Sequence, residues 1–111
     1  MVAVANLLPD NPEEEATVLA LLKEHPELRT FIQQASAKAL DLFPGATIQL
    51  DTVRYDDWDP PMRMIVSVPG NLETMMPGRM DYFRWLHTSL NYPEELIFVF
   101  TQWAGDTYGG A

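Results

Sequence analysis

With 111 residues the chain has the length of one domain, and 47% apolar residues are enough for a core. The absence of cysteine excludes disulfides, thiolate metal sites and a cysteine nucleophile, and it fits a reducing cytoplasm. Sixteen acidic residues against seven basic ones give a formal charge of −9, which disfavours direct nucleic-acid binding and favours a basic partner surface.

Residues 1–11 read as an extended N-terminal arm. The arm has no basic start and its apolar run is broken by Asn6 and Pro9, so no secretory signal is expected. No apolar run approaches the ~20 residues of a membrane span. Asn11 is placed to cap a helix, with Pro12 at its first position and Glu13, Glu14 and Glu15 facing the positive end of its dipole. His25-Pro26 ends that helix, because the residue before proline avoids helical geometry. A second helix is expected from about Pro26 to Leu42, with Leu28, Ile32, Ala35, Ala39 and Leu42 at helical spacing. Pro44-Gly45 then turns the chain.

Two strands follow. The first alternates Ile48 and Leu50 with Gln49 and Asp51, and the second alternates Met62, Met64, Val66 and Val68 with Arg63, Ile65 and Ser67. Each pattern suits a sheet with one wet face. The acidic linker between them contains Pro60 and Pro61. Residues 69–78 read as a loop, and a third helix is expected from Arg79 to about Leu90 with Met80, Phe83 and Leu86 on its core side. A last strand, Leu96 to Trp103, is apolar on both faces: Leu96, Phe98 and Phe100 on one, Ile97, Val99 and Trp103 on the other. Residues 104–111 form a glycine-rich tail, expected to be mobile, which leaves 12–103 as the domain.

The fold class is therefore α+β, in the order α-α-β-β-α-β. A three-stranded, mainly antiparallel sheet is expected, with the helices packed on one face. That arrangement leaves the last strand with a second apolar face to cover. The first helix, a second copy of the chain, or a different protein would each do so.

The candidate chemistry is sparse. Asp56, Asp57 and Asp59 cluster around Trp58, but a calcium loop needs a turn glycine and a later glutamate that are missing here. The simpler reading is a solvated turn; the sharper one is an acidic anchor for a basic partner, with Trp58 at its centre. The two histidines, His25 and His87, have no metal-ligand spacing, and no catalytic triad is legible. Arg84 follows Asp81 by three residues, which makes an intrahelical ion pair the simplest account. Met75 and Met76 fall in the expected loop and so read as exposed, adaptable contact residues. Gly109-Gly110 is followed by alanine, unlike the terminal glycine of ubiquitin-like carriers.

The pieces FPGATIQLDTVRYDDWDPPMRMIVSV and MDYFRWL, between Phe43 and Leu86, resemble short bacterial proteins that form a domain of unknown function. The resemblance implies a bacterial accessory protein of this fold and carries no catalytic motif.

The expected function is a non-enzymatic, cytoplasmic, acidic protein–protein interaction module. It would neutralise or regulate a basic partner, as antitoxin-like or immunity-like proteins do. Its contact residues would be Asp56, Asp57, Trp58, Asp59, Met75, Met76, Tyr82, Trp85, Ile97, Val99 and Trp103. No catalytic residue, metal or cofactor is expected. One alternative is a small-molecule-binding or weakly catalytic domain, with Tyr82, Arg84, Trp85 and His87 around a pocket. Another is a structural homo-oligomer, in which the second copy is the partner.

Overall fold

A computed structural model describes residues 4–70, 72–90 and 92–105. The Asn11 side chain accepts hydrogen bonds from the Glu13 and Glu14 amides at 2.8 and 3.2 Å, and so starts helix α1, Pro12–Glu24. Two otherwise unpaired amides at the helix end are satisfied in this way. The Glu14 carboxylate reaches further and accepts from the amide and hydroxyl of Thr52 at 3.1 and 3.0 Å. That contact pins α1 beside the end of the first strand. Val18 and Leu22 are the buried residues of α1.

Helix α2, Glu27–Leu42, turns Leu28, Phe31, Ile32, Ala35, Ser36 and Ala39 into the core. Gly45, at a φ of +84°, makes the turn into β1, Thr47–Asp51, in a region where a side chain would be strained. Strand β2, Met62–Pro69, pairs antiparallel with β1 and parallel with β3, Ile97–Gly105. The order β1-β2-β3 puts β2 at the centre of a mixed sheet. The β2–β3 pair is parallel because helix α3, Leu72–Ser89, lies between the two strands and returns the chain to the start of the sheet. The expected α-α-β-β-α-β order is the observed one.

The helices pack on one face of the sheet. Leu50, Met62, Met64, Val66, Val68, Ile97 and Val99 are buried against Leu28, Ile32, Ala35, Tyr82 and Leu86. The Tyr82 hydroxyl crosses this layer to donate to the Ala35 carbonyl at 2.8 Å.

Four expectations are corrected. Within the arm, Val4–Leu7 form a 3-10 helix rather than an extended segment, because Leu7 is drawn into the core. Helix α3 begins at Leu72, not Arg79, and takes Pro77 into its interior. Proline there removes one ladder bond, yet burial of Met75 in the core holds the segment in the helix. The core side of α3 is Met75, Tyr82 and the expected Leu86, with Phe83 packed against it, while Met80 is 60% exposed. Strand β3 continues to Gly105, beyond the expected end at Trp103. Residues 106–111 of the expected tail lie outside the described residues.

Candidate functional site: the open face of the sheet

Strand register places nine side chains on the face away from the helices, in three cross-strand rows. They are Asp51–Arg63–Phe98, Gln49–Ile65–Phe100 and Thr47–Ser67–Gln102. None of the described helices covers them, so α1 is not the cover for the last strand. Phe98 is 48% exposed, and Ile65 and Phe100 are half-buried.

The first row is anchored electrostatically. Arg63 donates to both oxygens of Asp51, Nε to Oδ1 at 2.7 Å and Nη2 to Oδ2 at 2.6 Å. Its hydrogen bonds to Asp51 raise the guanidinium pKa above its ordinary value, against the opposing effect of burial. The same guanidinium lies 5.4 Å from the Phe100 ring centre and 5.9 Å from that of Tyr55. Cation–π attraction adds to the pair at such distances. Phe98 and Phe100 stack with centroids 5.5 Å apart, and Gln102 donates to Ser67 at 2.9 Å in the last row. The face is thus apolar in its middle, internally neutralised in one row and polar in the other.

The acidic loop borders the charged row and is folded on itself. The Asp59 carboxylate accepts from the Tyr55 and Asp56 amides at 2.8 and 3.2 Å. The Asp56 carboxylate accepts from the Trp58 amide at 2.7 Å. Arg54 donates to the carbonyls of Asp59 and Asp57 at 3.0 and 2.8 Å. These bonds fix the loop and present Trp58 and Tyr55 outward, 92% and 81% exposed. Between loop and sheet, Val53, Tyr55, Asp59, Pro60, Arg63 and Phe98 enclose a pocket of about 110 Å³.

The expected contact residues divide sharply. Asp56, Asp57 and Trp58 are exposed in the loop, while Asp59 is partly buried at the pocket. Met76 is exposed on α3, and Trp103 is 49% exposed at the far end of β3, where its indole donates to the Gly70 carbonyl. Ile97, Val99, Met75 and Tyr82 are core residues, out of reach of a partner, because the two on β3 face the helix layer and the two on α3 are buried beneath it. The open face and its pocket also bring together Tyr55, Arg63, Ile65, Phe98 and Phe100, which are not among the expected contact residues. The wet-face alternation of β2 and the second apolar face of the last strand were the signals for Arg63, Ile65, Phe98 and Phe100; Tyr55, in the loop, had none.

The grouping of Tyr82, Arg84, Trp85 and His87 does not form a cavity. Tyr82 is buried, and burial pushes its phenol well above the ordinary tyrosine range. Arg84 pairs with Asp81 at 3.7 Å, and Trp85 lies under the Lys38 ammonium, 5.6 Å from its ring centre. His87 instead faces Glu94, at 3.7 Å, and the Tyr92 ring. A wider groove of about 750 Å³ lies between the start of α2 and the connection into β3. Its aromatic lining is already engaged: Phe31 stacks on Tyr92, whose hydroxyl accepts from the Val99 amide at 2.7 Å.

Among the described residues no group of three or more histidine, aspartate or glutamate side chains is placed to hold a metal, and no helix is long and apolar enough to cross a membrane. No family model matches the chain, and neither the curated proteins nor the solved structures contain a significant match.

Proposed function

We propose that this is a non-enzymatic, cytoplasmic interaction module that binds another protein through the open face of its sheet. The nearest functional class is the antitoxin-like or immunity-like protein that holds a basic partner. The observation that carries the reading is the uncovered strip of Ile65, Phe98 and Phe100 on a sheet whose other face is fully packed. Apolar strips rimmed by polar groups are characteristic of contact surfaces. Here the rim is Asp51, Gln49, Gln102 and the loop aspartates. A structural homo-oligomer would use the same strip, with a second copy in place of the partner.

The test pairs light scattering over a range of concentrations with capture from the native host, on wild type and Phe98→Glu. Phe98 is half-exposed, so the variant keeps its fold, checked by circular dichroism. A monomer that captures a protein, and loses it in Phe98→Glu, supports the reading. A dimer broken by Phe98→Glu selects the homo-oligomer instead. Capture that is absent, or equal for both chains, overturns the assignment of this face.

A further inference from the structure

We infer that the pocket bounded by Val53, Tyr55, Asp59, Pro60, Arg63 and Phe98 is the anchor point of the open face, and that it takes an aliphatic side chain flanked by lysine or arginine on a basic partner. This rests on the binding role proposed for the face and adds what occupies it. The size sets the first part of the chemistry. A pocket of about 110 Å³ is somewhat smaller than the ~150 Å³ cavity that holds a benzene molecule, and so suits a branched aliphatic group. The walls set the second. Valine, proline and two aromatic rings supply apolar surface; of the two charged lining residues, Asp59 accepts from the Tyr55 and Asp56 amides, and Arg63, the one cation among the described lining residues, is already bound to both oxygens of Asp51. An incoming carboxylate therefore finds no free guanidinium, and an apolar group displaces no strong hydrogen bond.

Charge decides between a second copy and a different protein. Beside the pocket stand Asp56, Asp57 and Asp59, against Arg54, whose guanidinium is held by the loop carbonyls. The loop is thus net acidic, as is the whole chain at −9. A second copy packed on this face would bring the same acidic excess to the same interface. Lysine or arginine on either side of the anchoring group would meet it with the opposite sign, which is the arrangement that steers and orients partners.

The test uses the full chain, ¹⁵N-labelled, and three end-blocked peptides: Gly-Lys-Leu-Lys-Gly, Gly-Lys-Ser-Lys-Gly and Gly-Glu-Leu-Glu-Gly. The lysine–leucine peptide is expected to shift the amides of Val53, Tyr55, Arg63 and Phe98. Replacing leucine with serine weakens binding about tenfold, the equivalent of burying one branched side chain. The glutamate peptide binds several-fold more weakly still at low salt, and added salt weakens the lysine–leucine peptide. Tyr55→Ala, at an exposed position, abolishes the selectivity for leucine. Equal binding of the leucine and serine peptides, or shifts confined to other surfaces, overturns the anchor. Concentration-dependent shifts of the same amides without peptide assign the face to a second copy and also overturn it. Failure of the anchor alone leaves the Phe98→Glu capture result standing, so the two readings fall separately.

Discussion

The Asp51–Arg63 pair gives the sharpest quantitative test of how the open face is held. Its side chains are 13% and 18% exposed, and two short hydrogen bonds join them across neighbouring strands. Fully exposed pairs contribute about 0–1 kcal/mol, whereas breaking a buried pair by removing one partner costs about 3–5 kcal/mol. This pair lies between those limits, nearer the buried one. Asp51→Asn is expected to cost about 2 kcal/mol. Asparagine still offers an oxygen to the Val53 amide, which Asp51 also holds at 3.2 Å, so the loss reports on the charge. Arg63→Met removes the guanidinium, and with it the contacts to Tyr55 and Phe100, for about 2–3 kcal/mol. The double variant, with no charge left unpaired, is expected to recover most of this loss. Urea unfolding followed by tryptophan fluorescence is the assay. At a slope of about 1–2 kcal/mol/M, Asp51→Asn moves the midpoint down by roughly 1–2 M and Arg63→Met by roughly 1–3 M. Single changes that add within about 0.5 kcal/mol in the double variant would refute the coupling.

Other outcomes follow from particular contacts. The Ser36 hydroxyl is buried and has no hydrogen-bond partner among the described residues, so Ser36→Ala is expected to be neutral or stabilising by up to ~1 kcal/mol in the same urea assay. A Cβ at Gly78 would come within 2.9 Å of the buried Phe43 ring. Gly78→Ala should therefore lower stability by about 1 kcal/mol, since overpacking outweighs the gain in helix propensity; an increase in melting temperature would contradict this. Because burial raises the Tyr82 pKa, the folded state favours the neutral phenol. Its contribution is complete below the unfolded tyrosine value, about 10, and is lost as pH rises above it. The alkaline fall in stability should be shallower in Tyr82→Phe, and identical slopes would count against it. Glu14→Gln keeps a weaker acceptor for Thr52 and should cost about 1 kcal/mol, with Glu14→Ala costing more.

Much of the fold was legible in the residues because local signals agreed with tertiary packing. The Asn11-Pro12 start of α1, the run of Leu28, Ile32, Ala35 and Ala39, and the alternation in β2 each name a face that is then buried. Pro77-Gly78 misled, since a helix breaker in isolation is tolerated once Met75 and Phe43 pack around it. The open face was half legible. A strand apolar on both sides announces a second surface, but the assignment of its two faces to core and exterior depends on register with β2. That register depends in turn on α3, so Ile97 and Val99 could not be told from Phe98 and Phe100 by periodicity. Val99, an expected contact residue, is 1% exposed; a charge there would disrupt the core. The pocket beside Tyr55 was not legible, because it exists only where Arg54 and Asp59 fold the loop onto the sheet.

The Tyr92 hydroxyl has a consequence for assembly. β3 is an edge strand, and such an edge is a template on which another chain can add a strand. By accepting the Val99 amide hydrogen, Tyr92 occupies a donor in the middle of that template. At the opposite edge the segment around Asn6 to Leu8 lies alongside Thr47 and Ile48 of β1. Growth of the sheet by lateral addition is thus blunted at both margins, and an exposed apolar strip can be carried without inviting fibre-like stacking.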